Sequence, residues 1–458
     1  MVMGFVPEKV DLAVVGAGVG GYVAAIRAAQ LGLSVALVEK NKLGGHCLNY
    51  ACIPSKTLIY ASDLFYRAQH SENFGIHTKD ISIDPKELLN WRLSVSSKLE
   101  QGVGFLCNSY GIDVFKGEGF FLSSNSMQVS SGETLEFKKA IIATGSEPNT
   151  LPNFDFGGNV IDYKQALMLD HIPKSMVIIG AGYVAVEIGT LYAKLGTNVA
   201  IIARSDVLSH FDREAVNIVK KRMQELGIKI YTGANPVSHD STSLTLSDGS
   251  KIEAEIIVVA IGLVPFTKKL GLENTKVEID GRGFVKVDNA LRTADENILA
   301  VGDVIGEPML AHKAIRQGVV AAEVAAGKNA SYDNLVVPAV IFSDPEIAVA
   351  GSVDEKEGVF VKKFPLSALG RGIALGMKEG FAKIAYDSNG IVKGVEIVSE
   401  DANAMIAEAA LAIEMGATIE DIASTIHPHP TFSELIQEAA EAAAGRPIHF
   451  FYGKQDAK

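Results

Sequence analysis

Two of the three cysteines in this 458-residue chain stand in the stretch Gly44-Gly45-His46-Cys47-Leu48-Asn49-Tyr50-Ala51-Cys52-Ile53-Pro54-Ser55-Lys56. Thiols are nucleophiles and redox groups, and two so close in sequence suit dithiol–disulfide exchange. They do not suit a structural crosslink, whose stabilisation grows with the length of chain it closes. A regular helix, rising about 1.5 Å per residue, also holds positions i and i+5 too far apart for a disulfide, whose Cα atoms span roughly 4.4–6.8 Å. Pro54 interrupts helical hydrogen bonding, so a locally distorted helix start is expected. On residue types alone the pair is either a reactive centre or two unrelated buried thiols.

A second cluster lies near the other end: His427-Pro428-His429-Pro430-Thr431-Phe432-Ser433-Glu434. Histidine is the usual general base near neutral pH. A carboxylate five residues on, Glu434, is placed to orient His429 as the acid of a catalytic triad orients its histidine. The flanking prolines restrict the backbone, and a cis His429–Pro430 bond is compatible with them.

Such groups need a scaffold. Val10 to Val15 is a short apolar run leading into Gly16-Ala17-Gly18-Val19-Gly20-Gly21; a helical pattern then runs to Gln30, and a second apolar run, Val35 to Val38, ends at Glu39. Strand, glycine turn, helix and strand with a terminal acid is the context that makes G-x-G-x-x-G a dinucleotide signal. Gly16, Gly18 and Gly21 let a pyrophosphate approach the helix N-terminus, and Glu39 can accept both hydroxyls of an adenosine ribose. The pattern recurs from Val177 through Gly180-Ala181-Gly182-Tyr183-Val184-Ala185 and a helix to Lys194, then Val199 to Ile202. Here the residue matching Glu39 is Ala203, followed by Arg204, a cation able to pair with a 2′-phosphate. The first unit therefore reads as a site for FAD or NAD, and the second leans to NADP over NAD.

Further strands end in glycine turns at Thr144-Gly145, Gly262 and Gly302-Asp303. From about Val336 the texture changes. Phe381 to Val398 reads as two strands joined by Asn389-Gly390, followed by an alanine-rich helix, Ala402 to Met415. The expected fold is α/β: two Rossmann-like dinucleotide-binding domains plus a C-terminal α+β dimerisation domain. The boundaries fall at 1–147 and 270–337 for the two parts of the first domain, 148–269 for the second, and 338–458 for the last.

Composition bounds the partners. A net charge of −12 argues against nucleic acid or an anionic membrane. Apolar runs such as Glu255 to Pro265 are broken well short of the ~20 residues a membrane helix needs. So few cysteines make no disulfide framework, so a reducing cytoplasm is expected. Met1 to Asp11 shows no signal-peptide pattern. Cys107 carries no motif and reads as a buried thiol.

Taken together, these motifs resemble the class I flavin-dependent pyridine nucleotide–disulfide oxidoreductases over essentially the whole chain. The Gly-Gly-x-Cys-(x)4-Cys-(x)2-Ser-Lys segment is highly specific. Within the family, Pro308 to Ala314, His427 to Glu434 and Gly445-Arg446-Pro447-Ile448-His449 are similar to the dihydrolipoamide dehydrogenase branch. The resemblance implies a redox-active Cys47–Cys52 disulfide, with Cys47 exchanging with substrate and Cys52 facing the flavin. It also implies that His429 of the partner subunit, oriented by Glu434, takes a proton from the substrate thiol, and that electrons pass through Cys52 and FAD to NAD(P)+. FAD contacts carry over to Gly16, Gly18, Gly21, Glu39, Lys56, Gly119, Thr144, Gly145, Asp303 and the run Met309, Leu310, Ala311, His312. Nicotinamide-nucleotide contacts carry over to Gly180, Gly182, Tyr183, Val184, Glu187, Arg204 and Gly262, with Glu187 pairing Lys56 and Tyr183 gating the pocket. No metal is implied. A homodimer follows from the mechanism, with a small-molecule or lipoyl-domain dithiol as substrate and a 2-oxoacid dehydrogenase or glycine cleavage complex as the assembly served.

Several features depart from that branch, among them Arg316-Gln317, which stands where acidic residues are common. His46 stands where threonine is usual, and Ala185 and Ala203 replace the third glycine and the strand-end glutamate. Gly180 to Glu187 and Ala203-Arg204-Ser205 are closer to the NADPH-using glutathione and mercuric reductases. The alternative is therefore an NADPH-dependent reductase of another small disulfide or metal-bound substrate.

Overall fold

The computed structural model describes residues 7–452, so the first six residues of the segment read as leader-free lie outside it. Two compact units divide the chain, one formed by 1–173 and 256–333, the other by 174–255 and 334–458.

In the first unit, β1 (Glu8–Val15), α1 (Val19–Gln30) and β2 (Val35–Glu39) form the expected strand–helix–strand. β1 runs parallel to β2, with Leu12 opposite Val35 and Val15 opposite Val38. It also pairs in parallel with the strand Thr134–Ile142, which pairs on its far side with Ile298–Ala300. Central parallel strands buried on both faces read as continuous apolar runs, and Leu12, Ala13, Val14, Ala36, Leu37, Ile141 and Ile142 are fully buried. The helix Ala311–Ala325 packs against α1 through small residues: a Cβ at Gly318 would lie 2.4 Å from the Gly20 carbonyl oxygen.

In the second unit Ser175–Ile179, Asn198–Ala203 and Lys229–Thr232 are parallel, with the helix Tyr183–Lys194 crossing between the first two. The C-terminal part is a five-stranded antiparallel sheet. Its Phe381–Asp387 and Val392–Ser399 strands form the expected hairpin, and helices Ala402–Met415 and Glu434–Ala443 supply much of its core. Among the described residues no helix is long and apolar enough to cross a membrane.

The core of the C-terminal sheet holds an ionisable side chain. Glu396, 1% exposed, lies cross-strand from Lys383, yet its Oε2 has no hydrogen-bond partner among the described residues. Lys383 is drawn instead to Asp212 Oδ1 at 2.9 Å and Glu214 Oε2 at 3.1 Å. Burial first, then the Asp212 charge, push the Glu396 carboxyl up to about 8. A carboxyl whose folded-state pKa is raised keeps its proton longer when folded. Stability therefore falls as pH climbs from about 4.5 to about 8, by up to about 1.4 kcal/mol per pH unit. Glu396→Gln is expected to raise the denaturant midpoint, with a gain that grows across this window; a gain independent of pH would refute the assignment.

Candidate active site

Cys47 and Cys52 are brought together by a break between two helices. α2 (Gly45–Asn49) ends at Tyr50, Ala51 leaves helical geometry at φ −132° and ψ −93°, and α3 (Cys52–Gln69) begins at the second cysteine. The Tyr50 and Ala51 amides both donate to the His46 carbonyl, each at 2.8 Å, and the second of these bonds, reaching back five residues, closes a turn that a regular helix lacks. Pro54 sits in the first turn of α3, where its missing N–H costs nothing. The two side chains hydrogen-bond. That bond first, and burial second, push the Cys47 thiol well above the ordinary thiol range, while Lys56, in the first turn of α3, opposes the shift. With both cysteines free, the hydrogen bond favours the protonated Cys47 thiol.

Arg92 was not legible in the sequence. It projects from the helix Pro85–Ser109, is 2% exposed, and donates through Nη2 to the Asn49 carbonyl at 2.6 Å, capping the short cysteine helix. Asn49 Nδ2 donates to the carbonyls of Leu43 (2.9 Å) and Gly45 (3.1 Å). The lone arginine of a long helix carries no local signal for this task.

His46 borders a cavity of about 420 Å³ lined also by Asn41, Tyr50, Asp162, Lys164, Gln165 and Met168. Burial, then the Lys164 charge, bring its pKa down to about 4. The imidazole is therefore neutral at working pH, and no imidazolium stands beside Cys47 to acidify it. His46 thus resembles electrically the uncharged threonine it replaces.

The residues expected to hold FAD fit it. Gly16 adopts φ +95°, and a Cβ at Gly21 would lie 1.8 Å from the Gly16 carbonyl oxygen, so this turn tolerates no side chain. Gly18 faces open space, and α1 has no side-chain cap, leaving its first N–H groups for an anion. Glu39 closes β2; Oε2 accepts from the Ala17 amide at 2.7 Å and Oε1 from the Asn41 amide at 2.8 Å, which leaves lone pairs for hydroxyls. Asp303 follows Ile298–Ala300 and accepts from Ser146 Oγ at 2.6 Å rather than capping a helix; burial pushes its carboxyl pKa up. Thr144 Oγ1 donates to the Phe266 carbonyl at 2.7 Å, and Gly145 follows at φ +70°. Lys313 is buried and donates to the carbonyls of Gly306 (2.7 Å) and Pro308 (3.1 Å), tying down the segment that carries Met309, Leu310, Ala311 and His312 into the helix start. Gly119 opens a strand against Val15, where a Cβ would approach Val15 Cγ1 to 3.2 Å.

The second glycine turn repeats the first. Gly180 adopts φ +121°, Gly182 faces open space, and the helix from Tyr183 has no side-chain cap. Val184 lies in its first turn, and Ala185 is fully buried. Ala203, at the strand end, is also fully buried, whereas Arg204 is exposed. Tyr183 is 40% exposed, Gly262 adopts φ +102°, and Glu187 Oε1 accepts from the Phe342 amide at 3.1 Å.

His429 Nδ1 lies 2.9 Å from Glu434 Oε1, and Glu434 Oε2 accepts from the Thr431 amide at 2.8 Å. The carboxylate fixes the ring tautomer and leaves Nε2 available, on a side chain that is 76% exposed. The His429–Pro430 bond is cis.

A paired-thiol centre beside one dinucleotide cradle, with a second cradle in the chain, defines a flavin-dependent disulfide oxidoreductase. The chain belongs to that family: residues 10–318 match the pyridine nucleotide-disulphide oxidoreductase family and residues 337–440 its dimerisation domain. It is 44% identical to the dihydrolipoyl dehydrogenases of Geobacillus stearothermophilus and Bacillus subtilis, across 98% of this chain and 99% of each relative. Identity to the dihydrolipoyl dehydrogenase of Halobacterium salinarum is 42% over the same shares. The crystal structure of LpdA from Mycobacterium tuberculosis superposes with a TM-score of 0.88 at 27% identity, covering 95% of this chain and 99% of that one.

Proposed function

We propose that this protein is a dihydrolipoamide dehydrogenase, oxidising a protein-bound or free dihydrolipoyl group with a nicotinamide nucleotide as acceptor. The observation that carries the reading is the Cys47–Cys52 pair at the helix break, where a hydrogen bond to Cys52 keeps Cys47 protonated. In the oxidised enzyme His429 Nε2 of the partner subunit takes a proton from one substrate thiol. The resulting thiolate attacks Cys47 Sγ, forming a mixed disulfide and releasing Cys52 as thiolate. The second substrate thiol then attacks the substrate sulfur of that mixed disulfide and passes its proton to the departing Cys47 sulfur. Cyclic disulfide leaves, Cys47 ends as a thiol, and His429 keeps the first proton. FAD, when bound, supplies the two-electron relay between this dithiol and the nicotinamide. Glu434 holds His429 in the tautomer that accepts at Nε2. The active form is a cytoplasmic homodimer serving a 2-oxoacid dehydrogenase or glycine cleavage system, since His429 serves the other copy.

For the acceptor, buried Ala203 and exposed Arg204 favour the 2′-phosphate of NADP over the bare ribose of NAD. Steady-state kcat/KM for dihydrolipoamide oxidation with each nucleotide tests both parts. No turnover with either would refute the activity. Arg204→Glu is expected to shift the NADP-to-NAD ratio toward NAD by about tenfold or more, since a charged hydrogen bond contributes roughly 1.5–3 kcal/mol; an unchanged ratio would make Arg204 a bystander.

A further inference from the structure

The loop that presents His429 is held at both ends, and only one end belongs to the expected acid–base pair. Downstream, Glu434 binds His429 and the Thr431 amide, while Thr431 Oγ1 donates to the Pro428 carbonyl at 2.7 Å. Upstream, His427 is the anchor. Its Nδ1 lies 2.9 Å from the Thr425 carbonyl oxygen, and its Nε2 lies 2.8 Å from Glu408 Oε1 on the helix Ala402–Met415. A hydrogen bond to a carboxylate is charge-assisted, the stronger kind. The His427 side chain is 4% exposed, against 76% for His429. The first histidine spends both nitrogens on the fold; the second spends one and leaves the other open.

We propose that His427 and Glu408 form a positioning pair for the dithiol half-reaction, fixing the place of His429 from two residues away. The proposal rests on the reading of His429 as the base. Proton abstraction depends on placement: a misplacement of about 1 Å can cost about a hundredfold. Without the anchor, the Thr425–Pro428 arm loses its only side-chain tie to that helix among the contacts described above, and the base stands in a wider range of positions.

The test separates the two halves of the cycle by stopped flow on the dimeric holoenzyme. Reduction by dihydrolipoamide reads the dithiol half, and reduction by the reduced nicotinamide nucleotide reads the other. His427→Gln and Glu408→Ala are expected to slow the first about tenfold or more and to leave the second within about twofold. Glu408→Gln, whose amide oxygen still accepts from His427 Nε2, is expected to recover most of the loss and serves where His427→Gln folds poorly. His429→Gln is the reference. If it slows the dithiol half while the Glu408→Ala and His427→Gln rates match the wild type, the positioning role is refuted and the base reading stands. A His429→Gln enzyme that is not slowed refutes the base reading and this inference with it. Equal loss in both halves would mean a general structural role and would also overturn the proposal.

Discussion

Cys47→Ser is expected to abolish dithiol oxidation, by on the order of 10⁴-fold or more, while the purified protein retains its flavin absorbance. A serine hydroxyl forms no disulfide, so neither the oxidised centre nor the mixed disulfide with substrate can exist. The cofactor cradle is built elsewhere, from the Gly16 to Gly21 turn, Glu39 and the Ser146–Asp303 contact, none of which uses the Cys47 sulfur. Serine is close in volume to cysteine, so α2 and its Arg92 cap are expected to survive the substitution. Cys52→Ser should be equally inactive, because the first thiolate attack would then find no disulfide to break. Near-wild-type turnover in either variant would reject the exchange mechanism.

The second large effect is at His429. General acid–base residues contribute typically 10²–10⁴-fold, and His429→Gln is expected to lose an amount in that range when dihydrolipoamide is the donor. The loss should shrink at alkaline pH, where a thiol of ordinary pKa, near 8.5, ionises without help. Glu434→Gln keeps a hydrogen-bonding side chain but removes the carboxylate that orients the ring, and a loss of about tenfold is expected. A pH-independent His429→Gln defect would point to a role in binding rather than proton transfer. Stopped-flow reduction from pH 6.5 to 9.5 makes the distinction.

Much of the site was legible in the sequence because its signals are local. The glycine turns follow from where the chain must reverse tightly after a strand. The structure puts Gly16 and Gly180 at positive φ with uncapped helices behind them. Glu39 and Ala203 were placed by counting along a strand–helix–strand unit, and both fall on strand ends. The hairpin around Asn389-Gly390, the helix Ala402–Met415 and the His429–Glu434 pair likewise follow from short-range spacing. The family resemblance added the roles, which spacing alone does not supply.

The rest depends on long-range packing. That Arg92 caps the cysteine helix from 43 residues away has no counterpart in the local pattern around either residue. The same holds for Ser146 and Asp303, and for His427 and Glu408, which sit on different elements and meet only when the core closes. Electrostatic character is equally tertiary. His46 stands in the sequence beside Cys47, and burial and the Lys164 ammonium keep it neutral. The depth of Glu396 in the C-terminal sheet makes it a carboxyl that holds its proton to about pH 8. The chain by itself pointed to the candidate residues, since motif and spacing are properties of neighbouring residues. Only the folded structure decided their protonation and orientation, since desolvation and hydrogen bonding depend on which distant groups share the same buried space.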